Sequence, residues 1–124
     1  MAPTLLKGFT VDQEKRPWGS YQVLAESKDF KVKKIHVLPG EVLSYQTHEK
    51  RDEDWVIISG GGFVVLDDKV LAANKGDHFK ILAGVKHRIG SNNDIDGLTF
   101  IEVQTGAYFG EDDIVRYSDE YDRV

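Results

Sequence analysis

The residues with chemistry to offer fall into two runs. In the first, Gly40 is followed after five residues by Gln46-Thr47-His48, after four more by Glu53, and after six more by Gly60. In the second, five residues separate Gly76 from Leu82-Ala83-Gly84, and two more separate Gly84 from His87. Two imidazoles, a carboxylate and an amide oxygen suit a divalent ion in a mixed nitrogen and oxygen shell, so Gln46, His48, Glu53 and His87 are candidate metal ligands. This donor set accommodates zinc, manganese, iron, cobalt or nickel without choosing among them. Three further residues carry candidate roles, each beside a plainer one. Lys33 shares strand parity with Ile35 and Val37, which points it either into the interior or, from a strand end, to solvent. Glu102 shares parity with Phe100 and Gln104, and is either a buried acid/base or a charge on the sheet surface. Arg116 lies in an acidic segment, and either pairs at the surface with Glu111, Asp112 or Asp113 or serves the chemistry. His36 and His78 fit no ligand slot and read as structural, and Trp18 and Trp55 as core or interface aromatics.

The elements that must bring these residues together are strands. No long segment carries apolar residues at helical spacing; short alternating or apolar runs separated by turn residues dominate, the pattern of an all-β sandwich or barrel. Strands are expected at 21–26, 30–37, 42–48, 54–59, 62–66, 69–73, 78–81, 87–90 and 98–104. Residues two apart on a strand share a face, so Gln46 and His48 project together with Ser44. Glu53 opens the next strand across a turn at 49–52, and His87 joins only if a distant strand folds alongside. Pro39-Gly40, Asp67-Asp68, Asn74-Lys75-Gly76-Asp77 and the polar stretch from Asn92 to Gly97 punctuate the strands. Gly60-Gly61-Gly62 reads as a hairpin turn where no Cβ fits, not as a phosphate loop, because no helix follows it. The segment from Gly110 to Asp122 is expected to form a short helix.

Composition narrows the classes. The chain has 124 residues, 16 Lys plus Arg against 21 Asp plus Glu, a net charge of −5 and no Cys. One domain over 1–124 is the natural reading. Thiol nucleophiles, disulfides, Cys-ligated zinc and iron–sulfur clusters are excluded. An acidic chain lacks the basic face that nucleic acid demands. No apolar run approaches a membrane span, and the first ten residues lack the build of a secretory signal, so a cytoplasmic protein is expected.

The two runs resemble the two motifs of the cupin superfamily. The first motif is G-x5-H-x-H-x4-E-x6-G, with Gln46 standing where the first His is usual. The second is G-x5-P-x-G-x2-H-x3-N, with Leu82 in place of Pro and Ser91 in place of Asn. This resemblance implies a double-stranded β-helix, a small jelly-roll barrel, with a metal inside its mouth. A narrower likeness runs along nearly the whole chain. Arg16-Pro17-Trp18-Gly19-Ser20-Tyr21, Lys31-Val32-Lys33-Lys34-Ile35, Leu43-Ser44-Tyr45-Gln46, Arg51-Asp52-Glu53-Asp54-Trp55, Ile101-Glu102-Val103-Gln104-Thr105-Gly106 and the stretch from Gly110 to Arg116 resemble the type II phosphomannose isomerase domain.

That family interconverts mannose 6-phosphate and fructose 6-phosphate, through an enediol-type intermediate in the expected chemistry. The resemblance implies metal ligation by Gln46, His48, Glu53 and His87, with zinc foremost, and a catalytic Arg116. Lys33 and Glu102 are supporting catalytic candidates. The domain is often the C-terminal half of a bifunctional enzyme with a mannose-1-phosphate guanylyltransferase; with no Gly-rich nucleotide loop here, a free-standing isomerase domain is expected. The family commonly has His at the place of Asp54, Pro at Leu82 and Gly at Asp122. The alternatives are a non-catalytic cupin that binds a sugar or small anion, and a metal cupin with other chemistry, such as an oxygenase. The expected partners are a small sugar phosphate and a second copy of the chain, with an N-terminal arm over about 1–15, carrying Leu5, Leu6 and Phe9, pairing with the partner's sheet. An acidic C-terminal segment occupies about 107–124.

Overall fold

A computed structural model describes residues 13–92 and 95–118. Ten strands run through them: β1 (Gln13–Arg16), β2 (Gly19–Glu26), β3 (Phe30–Val37), β4 (Tyr45–Thr47), β5 (Arg51–Leu66), β6 (Lys69–Asn74), β7 (His78–Ile81), β8 (His87–Ser91), β9 (Leu98–Gly106) and β10 (Val115–Ser118). Every ladder between them is antiparallel. One sheet has the order β1-β2-β3-β9-β5-β7, the other β6-β5-β8-β4-β10, and β5 belongs to both. The all-β architecture is the one the alternating pattern predicts.

The long β5 corrects two expectations. The segments 54–59 and 62–66 are not separate strands joined by a hairpin at Gly60-Gly61-Gly62; they are one strand of 16 residues that crosses between the sheets. Its first part, to Gly60, pairs with β9, and from Gly61 onward it pairs with β6 and β8. The glycines serve close approach, not reversal. A Cβ on Gly60 (φ +76°) would stand 1.9 Å from the Gly97 carbonyl oxygen, and one on Gly62 would stand 2.0 Å from that of Gly90. The reversal comes later, at Asp67-Asp68, where φ is +46° and +70°, as a tight two-residue hairpin requires.

Other boundaries also move. The expected strand 42–48 is ordered as a strand only over Tyr45–Thr47, with Val42 making an isolated bridge to Gly90. The acidic C-terminal segment forms no α-helix in the described residues; Glu111–Asp113 makes one 3-10 turn and β10 follows, paired with β4. At the other end, Gln13–Arg16 folds back on β2. The remainder of the expected arm and residues 119–124, including Asp122, lie outside the described residues.

The facing sheets enclose an interior that changes character along its length. Going along the inner face of β3 the chain presents Val37, Ile35 and then Lys33; along β9, Leu98 and Phe100 and then Glu102 and Gln104; along β5, Ile57 and Trp55 and then Glu53 and Arg51; along β8, Ile89 and then His87, all of them buried. The apolar members form the core with Trp18, Val64, Ala73 and Ile81. Polar groups removed from water must find partners, so the polar members gather at one end, where they face one another across a cavity. No helix among the described residues is long and apolar enough to cross a membrane.

Candidate metal centre

His48, Glu53 and His87 converge. Each is nearly sealed from solvent, at 1%, 1% and 3% exposure, and each offers a ligand atom within 4.8 Å of the other two. The backbone explains the meeting: His48 follows directly on β4 and opens the turn into β5, Glu53 lies inward on β5, and β8 pairs with β4 through Gln46 and His87, bringing His87 alongside. The imidazole rings stand edge to face with centroids 4.6 Å apart. His48 Nδ1 contacts the Arg51 carbonyl oxygen at 3.1 Å, and His87 Nδ1 contacts that of Val85 at 2.9 Å. A carbonyl only accepts, so both Nδ1 atoms carry the proton, and in the neutral rings both Nε2 atoms present lone pairs.

That arrangement is what a cation requires. His48 Nε2 is buried without a hydrogen-bond partner, yet lies 3.0 Å from Glu53 Oε2. A bare lone pair facing a carboxylate is unfavourable unless a positive charge is shared between them. Burial holds the His87 imidazole below its ordinary pKa, against the pull of Glu53, which keeps it in the ligating form. Burial alone would raise the Glu53 carboxyl, but the groups hydrogen-bonded to it outweigh burial and hold Glu53 well below the usual carboxylate range. Arg51 Nε donates to Glu53 Oε2 at 2.8 Å. The residues present therefore fit a divalent metal. Gln46 lines the same cavity and is the cross-strand partner of His87.

Behind the ligands stands a second carboxylate. Glu102 pairs in register with Lys33 on one side and Trp55 on the other. Gln104 Nε2 donates to its Oε2 at 2.9 Å, and the Trp55 indole N–H reaches both Glu53 Oε1 at 2.9 Å and Glu102 Oε1 at 3.3 Å. Burial, and after it the charge and hydrogen bond of Glu53, push Glu102 up to about 8. At neutral pH one carboxyl of the pair is ionised and the other holds a proton, the division that two close carboxylates adopt when their surroundings differ.

Seven residues singled out in the sequence line or border this space. Lys33 and Glu102 take the inward reading, at 7% and 6% exposure. Lys33 Nζ lies 3.9 Å from Glu111 Oε2 and 4.3 Å from the centroid of the Tyr21 ring, and burial lowers its pKa despite the opposing fields of Glu102 and Glu111. Arg116 projects from β10 as the register partner of Gln46, lines the cavity, and buries its Nε without a hydrogen-bond partner. His36 bonds Thr99, and His78 pairs with Asp54 on exposed surface; neither approaches the centre. Asp54 and Leu82, two departures from the resembled family, do not line the cavity.

Sequence reasoning missed Trp55 as more than core, and also Arg51, Gln104, Arg16 and Tyr21, which line the cavity or hold its groups. The period of two held the signal for the first three: Arg51, Glu53 and Trp55 share a face, as do Glu102 and Gln104.

Comparison with known proteins places the chain. A family model described as "Mannose-6-phosphate isomerase C-terminal" matches residues 9–119. The xanthan biosynthesis protein XanB of Xanthomonas campestris pv. campestris (strain B100) is 44% identical over 109 residues, covering 88% of this chain and 23% of that protein. The mannose-1-phosphate guanylyltransferase of Salmonella montevideo is 42% identical over 108 residues, covering 87% of this chain and 23% of that protein. The chain thus spans less than a quarter of the length of these relatives. Among solved structures, a Klebsiella pneumoniae protein described as having a double-stranded β-helix domain superposes with a TM-score of 0.67 at 21% identity, covering 80% of this chain and 83% of that one. The fold is the cupin double-stranded β-helix.

Proposed function

The chain belongs to the mannose-6-phosphate isomerase C-terminal family, and on that premise we propose that it is a metal-dependent aldose–ketose isomerase interconverting mannose 6-phosphate and fructose 6-phosphate. The reading rests on one cavity bringing together three residues able to hold a metal ion and a buried carboxyl, Glu102, which burial and Glu53 push up to about 8.

His48, Glu53 and His87 would hold the ion, with Gln46 as the fourth ligand; zinc is the first candidate, and manganese, iron, cobalt and nickel suit the same donors. Bound there, the ion would polarise the sugar oxygens and stabilise the negative charge that develops on them. The reaction moves a proton between neighbouring carbons and shifts a carbonyl by one position. Glu102 is the group placed to hold and deliver a proton, with Trp55 and Gln104 fixing its two oxygens; a proton-transfer group must be aimed before its pKa matters. Arg116 reaches the cavity from the opposite sheet, presenting a permanent cation to an anionic intermediate or substrate.

A coupled assay for fructose 6-phosphate formation tests this. Turnover of mannose 6-phosphate should be lost on chelation and return with a divalent ion. Arg116→Ala should keep the metal and lose most of kcat. A metal-loaded protein that binds the sugar phosphate without converting it would reject the isomerase and leave a sugar-phosphate-binding cupin.

A further inference from the structure

We propose that Lys33 and Arg16, gathered around the ring of Tyr21, form the subsite for the substrate's anionic group, and that Glu111 fills this subsite as an internal anion which the ligand displaces. The inference rests on the sugar-phosphate reading above and adds where the phosphate docks and what it must remove.

Charge is distributed unevenly in this molecule. Acidic residues outnumber basic ones, 21 to 16, over the whole chain. Around the cavity the order reverses: Arg16, Lys33, Arg51, Arg88 and Arg116 line it, against Glu53, Glu102 and Glu111. Arg51 is committed to Glu53 at 2.8 Å. A cavity with surplus cations in an acidic protein is shaped for an anion.

Two of those cations share one aromatic ring. Lys33 Nζ lies 4.3 Å and Arg16 Cζ 5.1 Å from the centroid of Tyr21. Arg16 Nη2 donates to the Tyr21 hydroxyl at 3.2 Å, which fixes the guanidinium beside the ring. Each of the two cations already has a carboxylate at 3.9 Å, Glu111 for Lys33 and Glu14 for Arg16. A guanidinium fork with a lysine ammonium is a fitting pair for phosphate oxygens.

The present occupant is loosely held. Glu111 Oε2 stands 3.9 Å from Lys33 Nζ, with the Lys33 side chain 9% exposed and that of Glu111 53% exposed. The backbone under Glu111 is fastened by its neighbour instead: Asp113 Oδ2 accepts from the amides of Glu49 and Lys50 at 3.1 and 3.0 Å. The Glu111 side chain can therefore swing to solvent while the turn stays in place. A phosphate offers Lys33 more charge and more acceptor oxygens than one carboxylate does. A neutral sugar offers no charge and leaves Glu111 where it is, so the device selects phosphorylated ligands. Lys33 pairs with Glu102 across β3 and β9, so a phosphate on Lys33 directs the rest of the ligand past Glu102 toward His48, Glu53 and His87.

The test is calorimetric binding of inorganic phosphate to the full chain after chelation, which removes any ion that phosphate could itself coordinate. Glu111→Gln should tighten binding about threefold to tenfold, and Arg16→Gln should weaken it by a similar factor. Asp112→Asn makes the same charge change on the same turn but outside the cavity, and should leave binding within about twofold. The proposal is overturned if Glu111→Gln behaves like Asp112→Asn, if Arg16→Gln binds as the parent does, or if neither the parent nor Glu111→Gln binds phosphate. Turnover by the metal-loaded protein separates the two readings. Conversion of mannose 6-phosphate with a KM that Arg16→Gln and Glu111→Gln leave unmoved sinks the subsite and spares the isomerase. Absence of conversion with the phosphate pattern intact does the reverse.

Discussion

Glu53 and Glu102 share one indole N–H and yet adopt opposite charge states. Glu53 accepts from Arg51 and is held well below the usual carboxylate range. Burial, and after it the charge and hydrogen bond of Glu53, push Glu102 up to about 8 despite the N–H donors of Gln104 and Trp55. Identical side chains are thus assigned a ligand's part and an acid's part by surroundings alone. Glu102→Gln preserves the shape and the hydrogen-bond capacity but removes the transferable proton. It should retain a full complement of metal, measured by elemental analysis, while kcat falls by roughly 10²–10⁴. Unchanged kcat in that variant would take Glu102 out of the chemistry.

β5 is the element on which the site depends, since it supplies Arg51, Glu53 and Trp55 to one sheet and then crosses to the other, where it holds β8 and hence His87. The crossing needs backbone contact at Gly62, where a Cβ would meet the Gly90 carbonyl oxygen at 2.0 Å. Gly62→Ala should therefore cost more than about 2 kcal/mol in chemical denaturation, because the obstructing atom is backbone and cannot rotate away. The outer side of the same strand is held differently. Asp54 accepts from His78 at 2.8 Å and from Lys80 at 3.2 Å on β7. Burial would raise its carboxyl, but those two bonds and the charge of Lys80 prevail and lower it. A carboxylate whose folded pKa lies below its unfolded value contributes stability above the unfolded pKa and loses it as pH falls through the folded one. Asp54→Asn should then cost about 0.2–1 kcal/mol at pH 7, the range for solvent-screened pairs. Denaturation at pH 3 and below should show the difference shrinking; a constant difference would contradict the ion-pair account.

For the molecule as a whole, a candidate site whose residues come from two separate runs of chain would tie metal binding to folding. An ion at a hundredfold its Kd should add about 2.7 kcal/mol, seen as a rise of several degrees in Tm. His87→Ala should abolish that rise, whereas an equal rise in the variant would place the ion elsewhere. Much of this was legible beforehand. The fold class and the strands Phe30–Val37 and His78–Ile81 follow from alternation, because a strand's period of two is a local property of the chain. Motif spacing singled out His48, Glu53 and His87, whose ligand atoms the fold brings within 4.8 Å of one another; spacing relates His48 to Glu53 through one strand and turn, whereas His87 joins them only because a distant strand folds alongside. What stayed hidden depends on what lies opposite. Gly60-Gly61-Gly62 looks the same whether it reverses the chain or slips past Gly97 and Gly90, and only the neighbouring backbone distinguishes them. The inward aim of Lys33 and Glu102 was undecided because parity sorts residues into two faces without saying which one the second sheet will cover. The proton on Glu102 depends on Glu53, forty-nine positions away in sequence, and Coulomb interaction and desolvation act through space. Local order was therefore written in the residue pattern, while charge state, close approach and the choice of interior face were settled only when the two sheets closed on each other.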